Sequence, residues 1–458
     1  MTVTQKIQTK LNDSAAARWG AMFIVSFTMM CGYFITDVMA PLEDILTKTT
    51  AEGGFGWTSD QYGFFSGAYG FINVFLLMLF FGGIILDKCG IRFTGIASSA
   101  LMLAGALIKW YAIDNNFGDA VIFGYPAQVA IAAFGFAVFG LGAEITGITV
   151  TKVIAKWFAG HELALAMGLQ VAMARIGTAA ALACSLPLAN AVGKPSAPVL
   201  LGAALLCIGF LAYLVYCVMD RKLDNSLAAT TSDEPDESFH FADLKVIFTN
   251  TGFWLITILC VLFYSGVFPF LKFATKLMIY KYEVDPEVAG LIPAMLPFGT
   301  ILLTPIFGRI YDRVGKGATL MIIGSAMLTL VHILFTLPIL EEGWFAIIIM
   351  IILGIAFSLV PSAMWPSVPK IIPMKQLGSA YAIIFYIQNI GLSMVPILIG
   401  SVIQKYSTVT AADGTITYDY TIPMSIFAIF GFIAIAIALL LKKADAKFGY
   451  NLEKKNMQ

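Results

Sequence analysis

Gly83-Ile84-Ile85-Leu86-Asp87-Lys88-Cys89-Gly90-Ile91-Arg92 and Gly308-Arg309-Ile310-Tyr311-Asp312-Arg313-Val314-Gly315-Lys316 carry one pattern twice, almost half a chain apart. Each reads glycine, three residues, aspartate, a basic residue, one residue, glycine, then further basic charge. Each closes one long apolar run and opens the next. Chance can supply one such pattern. Two at matching places in two halves point to an internally duplicated bundle.

The chain is 59% hydrophobic and 12% charged, with a mean hydropathy of +0.85. A soluble domain carries about 25% charged residues, so this chain lacks the polar surface that water would require. An integral membrane protein in a lipid bilayer is the class that fits. The formal net charge is zero, which leaves no basic stripe for nucleic acid. None of the six cysteines forms a C-x-x-C pair, so free thiols are expected rather than disulfides or a metal site. The three histidines are scattered. No G-x-x-x-x-G-K-[ST] loop and no nucleophile constellation is present, so neither an ATP motor nor an enzyme is expected, and no cofactor.

Twelve spans are expected, over roughly 19–40, 60–86, 92–112, 125–153, 163–189, 196–219, 251–280, 287–311, 317–338, 343–368, 376–404 and 421–442. Each is long enough to cross a hydrocarbon core of roughly 30 Å. Residues 1–18 are polar, and the first apolar run lacks a small-residue cleavage site, so it reads as a retained helix. The polar, acidic stretch 220–250 reads as a linker. It divides the chain into an N-terminal six-helix bundle (1–219) and a C-terminal six-helix bundle (251–458), with one signature between the second and third spans of each. The fold class is therefore an all-α membrane protein of two pseudo-symmetric six-helix bundles. Lys88, Arg92, Lys152, Lys156, Arg221, Lys222, Arg309, Arg313, Lys316, Lys370, Lys442 and Lys443 fall on one side, against Lys48, Lys194 and Lys281 on the other. By the positive-inside rule both termini, the linker and both signatures are expected to be cytoplasmic.

The signature reads as a conformational latch built from Gly83, Asp87, Lys88, Gly90, Arg92, Gly308, Asp312, Arg313 and Gly315. Gly83 and Gly308 are expected to let helices approach closely. Asp87 and Asp312 lie near helix C-termini, where an acid needs a partner. Arg92, Arg313 and Lys316 are placed to pair across the cytoplasmic face, in contacts that hold one conformation and break in the other. The alternative reading is that these charges only fix topology and tight turns. The paired signature, twelve spans and central linker resemble the major facilitator superfamily over nearly the whole chain. The first copy departs from that family's loop motif at Phe93, where a second basic residue is common. The resemblance implies two bundles around a central cavity and alternating access to a midplane site.

Charges inside a membrane are costly and point to function. Glu144 lies inside the fourth span and Arg175 inside the fifth, and a short turn joins these two antiparallel helices. At 1.5 Å per residue both sit roughly 18 Å from that turn, so opposite charges share one depth. Three readings stand: a structural salt bridge, a proton relay through Glu144, or a split site in which Arg175 binds a carboxylate and Glu144 an ammonium group. Tyr264 and Phe268, spaced i and i+4, put two rings on one face of the seventh span. Trp365 lies in a proline-broken stretch whose freed backbone groups need a protein interior or a wet cavity. Gln388 and Asn389 are amides for interhelical or substrate hydrogen bonds. Asp37 reads as a helix-end cap or a partner for a lysine. Lys272 and Lys276 read as side chains that snorkel to the interface.

A second resemblance covers six spans: four, five, seven, eight, ten and eleven. Gly142-Ala143-Glu144, Ala174-Arg175-Ile176-Gly177, Val267-Phe268-Pro269-Phe270, Pro361-Ser362-Ala363-Met364-Trp365-Pro366 and Gln388-Asn389-Ile390-Gly391 resemble the lysosomal dipeptide transporter branch (major facilitator superfamily domain-containing protein 1) and its bacterial relatives. That resemblance implies a dipeptide site with Arg175 on the substrate C-terminus and Glu144 on its N-terminus, working by facilitated diffusion; a monomer is expected. An organic-anion antiporter of the oxalate–formate type, an amino-acid carrier, or a receptor that binds without transport are the rival readings. The first span lacks the Glu-x-x-Glu-Arg cluster typical of proton-coupled oligopeptide transporters. The lone Asn12-Asp13-Ser14 sequon falls on the cytoplasmic side of this topology, so a bacterial inner membrane is expected rather than a lysosome.

Overall fold

In a bilayer a spanning segment must satisfy its own backbone, and a helix is the way a single segment does so. The computed structural model describes residues 11–158, 161–227, 241–373, 376–410 and 416–455, without the side chains of 87, 164, 227 and 241–244. Among them, 11 helices are long and apolar enough to cross a membrane, and a bent pair supplies a twelfth span.

The N-terminal half consists of α1 (Ala15–Asp37), the broken span α2 (Ser59–Phe75 and Met78–Leu86), α3 (Lys88–Asp114), α4 (Ala127–Trp157), α5 (Leu163–Val192) and α6 (Ala197–Leu227). The C-terminal half consists of α7 (Thr251–Tyr282), α8 (Leu291–Val314), α9 (Gly317–Thr336), α10 (Gly343–Ile371), α11 (Leu377–Val402) and α12 (Thr421–Phe448). Within the stretch read as a linker, residues 220–227 continue α6, and Phe241–Thr249 form a short helix ahead of α7. Residues 228–240 lie outside the description, as does the acidic run 232–238.

One break and two reversals in the helical path have local causes. The parts of α2 are bent by 60°, where Leu77 takes a left-handed φ of 53°. The hydroxyl of Tyr386 on α11 donates to Val74 O beside that break at 3.2 Å, which is how freed backbone is kept satisfied at membrane depth. The α2–α3 reversal turns at Gly90, φ 77°, and the α8–α9 reversal at Gly315, φ 74°. Both signature glycines occupy a conformation that costs other residues energy.

The halves pack on the side opposite the first and last described residues, Leu11 and Lys455, here called the far side. There α2 lies so close to α11 that a Cβ at Gly67 would sit 2.3 Å from Ser393 O. The Ser393 hydroxyl donates to Gly67 O at 3.0 Å, and Tyr62 on α2 donates to Lys272 O on α7 at 2.9 Å. The start of α8 meets α5, with Gly290 against Leu182 O. On the terminal side the halves diverge. Gly83 and Gly308 were expected to mediate close helix approach, yet a Cβ at either would meet nothing within 4 Å. Neither makes that approach in this conformation.

Closure of the far side depends on backbone contact that a side chain at residue 67 would prevent. Gly67→Leu should therefore raise labelling of a cysteine placed at Ser393, which is fully buried, by a membrane-impermeant maleimide. Unchanged labelling would show that this packing does not seal the far side.

Candidate functional site

Glu144 and Arg175 lie midway along α4 and α5, and both remain half-buried rather than fully enclosed. They do not pair with each other. The Tyr69 hydroxyl donates to Glu144 Oε1 at 2.8 Å, and the Asn389 side chain of the opposite half lies beside the same carboxylate. Asn389 donates its own amide to Phe385 O at 3.0 Å, and its Oδ1 has no hydrogen-bond partner. Arg175 is held by rings instead of acids. Its guanidinium carbon lies 5.9 Å from the centroid of Tyr33, 5.3 Å from Phe268 and 5.2 Å from Phe357. A guanidinium among aromatic faces keeps its charge without a carboxylate.

The C-terminal half supplies an aromatic wall. Trp365 Nε1 donates to the Tyr264 hydroxyl at 3.0 Å. Tyr264 packs against Phe268 with centroids 5.6 Å apart, and Phe268 stands edge-on to Phe357 at 5.3 Å. Trp365 stacks on Phe385 at 5.0 Å, and Tyr381 donates to Trp365 O at 3.1 Å. Gln388 is buried and accepts from the Cys260 thiol at 3.8 Å. The structure thus brings Glu144, Arg175, Tyr264, Phe268, Trp365 and Asn389 to the seam between the halves. It adds Tyr33, Tyr69 and Phe357, which sequence reasoning missed because single aromatic residues in apolar runs carry no periodic signal.

Above this level the seam is charged. Lys272 Nζ lies 2.7 Å from Asp37 Oδ1. Lys276 donates to Thr47 Oγ1 at 2.6 Å, with Glu43 Oε1 at 3.9 Å, and both side chains of that ion pair are fully buried. Tyr280 donates to Asp44 Oδ1 at 2.8 Å. The expectation that Lys272 and Lys276 snorkel outward is corrected. Asp37 at the end of α1 and Glu43 in the α1 extension that follows it (Ala40–Leu42 and Glu43–Thr47) lie across the seam and draw both ammonium groups inward.

A glycine-hinged helical duplication with charged residues at mid-depth is the geometry of one large transporter family, and that family's model, the Major Facilitator Superfamily, matches residues 22–396. The chain belongs to the major facilitator superfamily. It is a multi-pass membrane transporter and not an enzyme. The lysosomal dipeptide transporter MFSD1 of Homo sapiens is 26% identical over 347 residues, covering 74% of this chain and 70% of that protein. The Danio rerio counterpart is 28% identical over 354 residues, covering 73% of this chain and 71% of its own. Among solved structures, a POT family transporter in complex with 5-aminolevulinic acid superposes with a TM-score of 0.69 at 14% identity, covering 93% of this chain and 96% of that one.

The superfamily's signature turns are held differently in the two halves. Arg92 Nη1 donates to Asp220 Oδ2 at 3.2 Å and to Asp224 Oδ2 at 2.7 Å. Lys156 Nζ donates to the other oxygens of the same two acids at 2.8 and 2.6 Å. The expected pairing of Arg92 across the terminal face is thus replaced, in this conformation, by pairing inside its own half. The second turn is covered by the C-terminal segment. Gly317 N donates to Leu452 O at 2.9 Å and Lys316 N to Glu453 O at 3.0 Å. Arg313 is exposed. Asp87 lies outside the described side chains.

Asp220 is 1% exposed and also accepts from Trp157 Nε1 at 3.3 Å and the Tyr216 hydroxyl at 3.2 Å. Removing one partner of a buried charge network leaves the others uncompensated, at a cost of about 3–5 kcal/mol. Asp220→Ala should lower the thermal unfolding midpoint of the detergent-solubilised protein clearly more than Asp224→Ala, whose acid is partly exposed. Equal small shifts would show that the cluster is not structural.

Proposed function

We propose that this transporter carries dipeptides or similar small zwitterions by alternating access, as facilitated diffusion. One observation carries the reading. Glu144 and Arg175 share a level between the halves, yet each is held by neutral groups rather than by the other. Ionised groups at membrane depth are expensive when unpaired, so an arrangement that keeps them apart leaves both available to a ligand of complementary charge.

In this reading Arg175 takes the substrate carboxylate through its planar fork. Glu144 takes the ammonium group while Tyr69 fixes its orientation. Asn389 and Gln388 serve the peptide group, and Tyr264, Phe268 and Trp365 form the wall for side chains. Each charge lies beside both halves: Arg175 between Tyr33 and the Phe268–Phe357 pair, Glu144 between Tyr69 and Asn389. A bound zwitterion would therefore bridge the halves at both ends. The lysosomal dipeptide transporters similar to this chain support the same substrate class.

The distribution of Lys and Arg supports placing both termini in the cytoplasm, and the expected setting is a bacterial inner membrane. The terminal-side opening then makes this an inward-facing state. The proposed domains are residues 1–219 and 251–458, joined by 220–250, in a chain that acts as a monomer. The latch residues Gly83, Asp87, Lys88, Gly90, Arg92, Gly308, Asp312, Arg313 and Gly315 close the cytoplasmic side in the opposite state, when the open space beside Gly83 and Gly308 is filled.

Uptake of a dipeptide into proteoliposomes should fall about 10- to 100-fold in Arg175→Ala and in Glu144→Gln. That is the factor expected from losing charged hydrogen bonds of ~1.5–3 kcal/mol. An N-acetylated dipeptide, which lacks the ammonium group, should be a poor substrate of the unsubstituted protein. Equal uptake of acetylated and free dipeptide would remove Glu144 from the site. Uptake that requires a proton gradient would overturn facilitated diffusion.

A further inference from the structure

Lys109 is fully buried on α3 and takes no part in the site described above. Its Nζ donates to Ile35 O at 2.8 Å and lies 4.4 Å from the centroid of Phe136. Lys272, from the opposite half, converges on the same place. It donates to Thr36 O and to Asp37 Oδ1, both at 2.7 Å, and lies 5.9 Å from the same Phe136 ring. The amino groups of two lysines, one from each half, therefore share the last turn of α1 and one aromatic ring.

The sharing is unequal. Asp37 is 3% exposed, and its ion pair is with Lys272. Lys109 has only a carbonyl and ring faces, with Phe139 at 5.7 Å and Phe65 at 6.0 Å beyond Phe136. Asp37 and Lys109 belong to one half and travel together, whereas Lys272 belongs to the other. Opening the far side draws Lys272 away with α7. A carboxylate that loses its ion-pair partner while still packed within its own half is disfavoured. Lys109 is the ammonium that stays behind. Its acceptor Ile35 is two residues from Asp37, and a lysine carries its charge on a flexible four-carbon stem.

We propose that Lys109 is a gating residue that receives Asp37 from Lys272 when the far side opens, so that the carboxylate is paired in both states. The proposal rests on the alternating-access reading given above. The exchange lies directly above the substrate level, because Tyr33, one turn before Asp37 on α1, faces Arg175. Lys109 does not touch substrate. It sets the equilibrium between states by making the opened seam tolerable.

The two lysines then act in opposite directions. With Ser393→Cys as a far-side reporter, Lys272→Met should raise maleimide labelling at least about tenfold. Lys109→Met should lower it at least about tenfold, the factor that ~1.4 kcal/mol produces. Removing the carboxylate removes the reason for the relay. In an Asp37→Asn background Lys109→Met should therefore change labelling and dipeptide uptake by less than about twofold. Lys109→Arg, which keeps the charge, should label like the unsubstituted protein. Should Lys109→Met fail to fold, Lys109→Gln removes the charge while keeping a donor and is read the same way. A fall in labelling that persists in the Asp37→Asn background would make Lys109 a packing residue and overturn the relay, as would a rise. Labelling that responds to Lys272→Met but not to Lys109→Met would overturn the relay alone. Labelling that responds to neither would overturn alternating access at this seam, and the relay with it.

Discussion

A bilayer core offers no water to an ionised side chain, and this constraint organises the whole molecule. Charges placed at membrane depth must find partners inside the protein, and here most of them find partners across the seam between the halves. Asp37 meets Lys272, Glu43 meets Lys276, and Asp44 meets Tyr280. Each of these contacts joins the extended end of α1 to α7. The same solvent exclusion that makes an unpaired charge costly makes these pairs a seal. A transporter must also break its seal in every cycle. Buried ion pairs suit that demand because desolvation offsets much of their attraction. They penalise mispairing strongly while holding the closed state only moderately.

The terminal side shows how two copies of one motif solve one problem by different means. In the first copy, the turn at Gly90 is anchored by Arg92 and Lys156 on the two acids of α6, Asp220 and Asp224. In the second, α12 carries Asp445 near its end, and that carboxylate accepts Leu452 N at 3.0 Å and Glu453 N at 3.3 Å. The segment it holds then reaches the second turn, where Glu453 caps the start of α9 through Thr319 N at 2.9 Å and Thr319 Oγ1 at 2.8 Å. An acid at the end of the sixth helix of each half is the common element. What it grips is a pair of cations in one half and a length of backbone in the other.

The bilayer constraint also explains what can be read from the residues. Spans, duplication and sidedness follow from composition and periodicity, which the bilayer enforces along every helix. Glu144 and Arg175 stood out because a charge in an apolar run is rare. The same rule applies to Lys109, inside the predicted span 92–112, and to Glu43, just beyond the first span, but the nearby opposite charges, Asp114 and Lys48, are not the groups they meet. Their partners come from other helices. From sequence Lys276 reads as reaching outward, because it lies near a helix end. Only the three-dimensional position of the α1 extension, with Glu43 and Thr47, turns it inward. The aromatic cage of Arg175 was equally hidden, since Tyr33, Phe268 and Phe357 come from three helices of both halves.

Helix α1 connects the levels. Tyr33 and Asp37 are spaced i and i+4, so they lie on one face of a rigid helix. Tyr33 faces the guanidinium of Arg175, and Asp37 faces the ammonium of Lys272. A substrate carboxylate at Arg175 would draw the guanidinium out of its ring cage and change what Tyr33 packs against. In the proposed cycle a displacement at Tyr33 would be carried one turn along α1 to the carboxylate paired with Lys272. Recognition and gating then need no separate wire. In the proposed cycle they would be coupled, because one helical turn places a ring beside Arg175 and an acid beside Lys272. Asp37 can leave Lys272 at low cost only if another cation in its own half is there to take it.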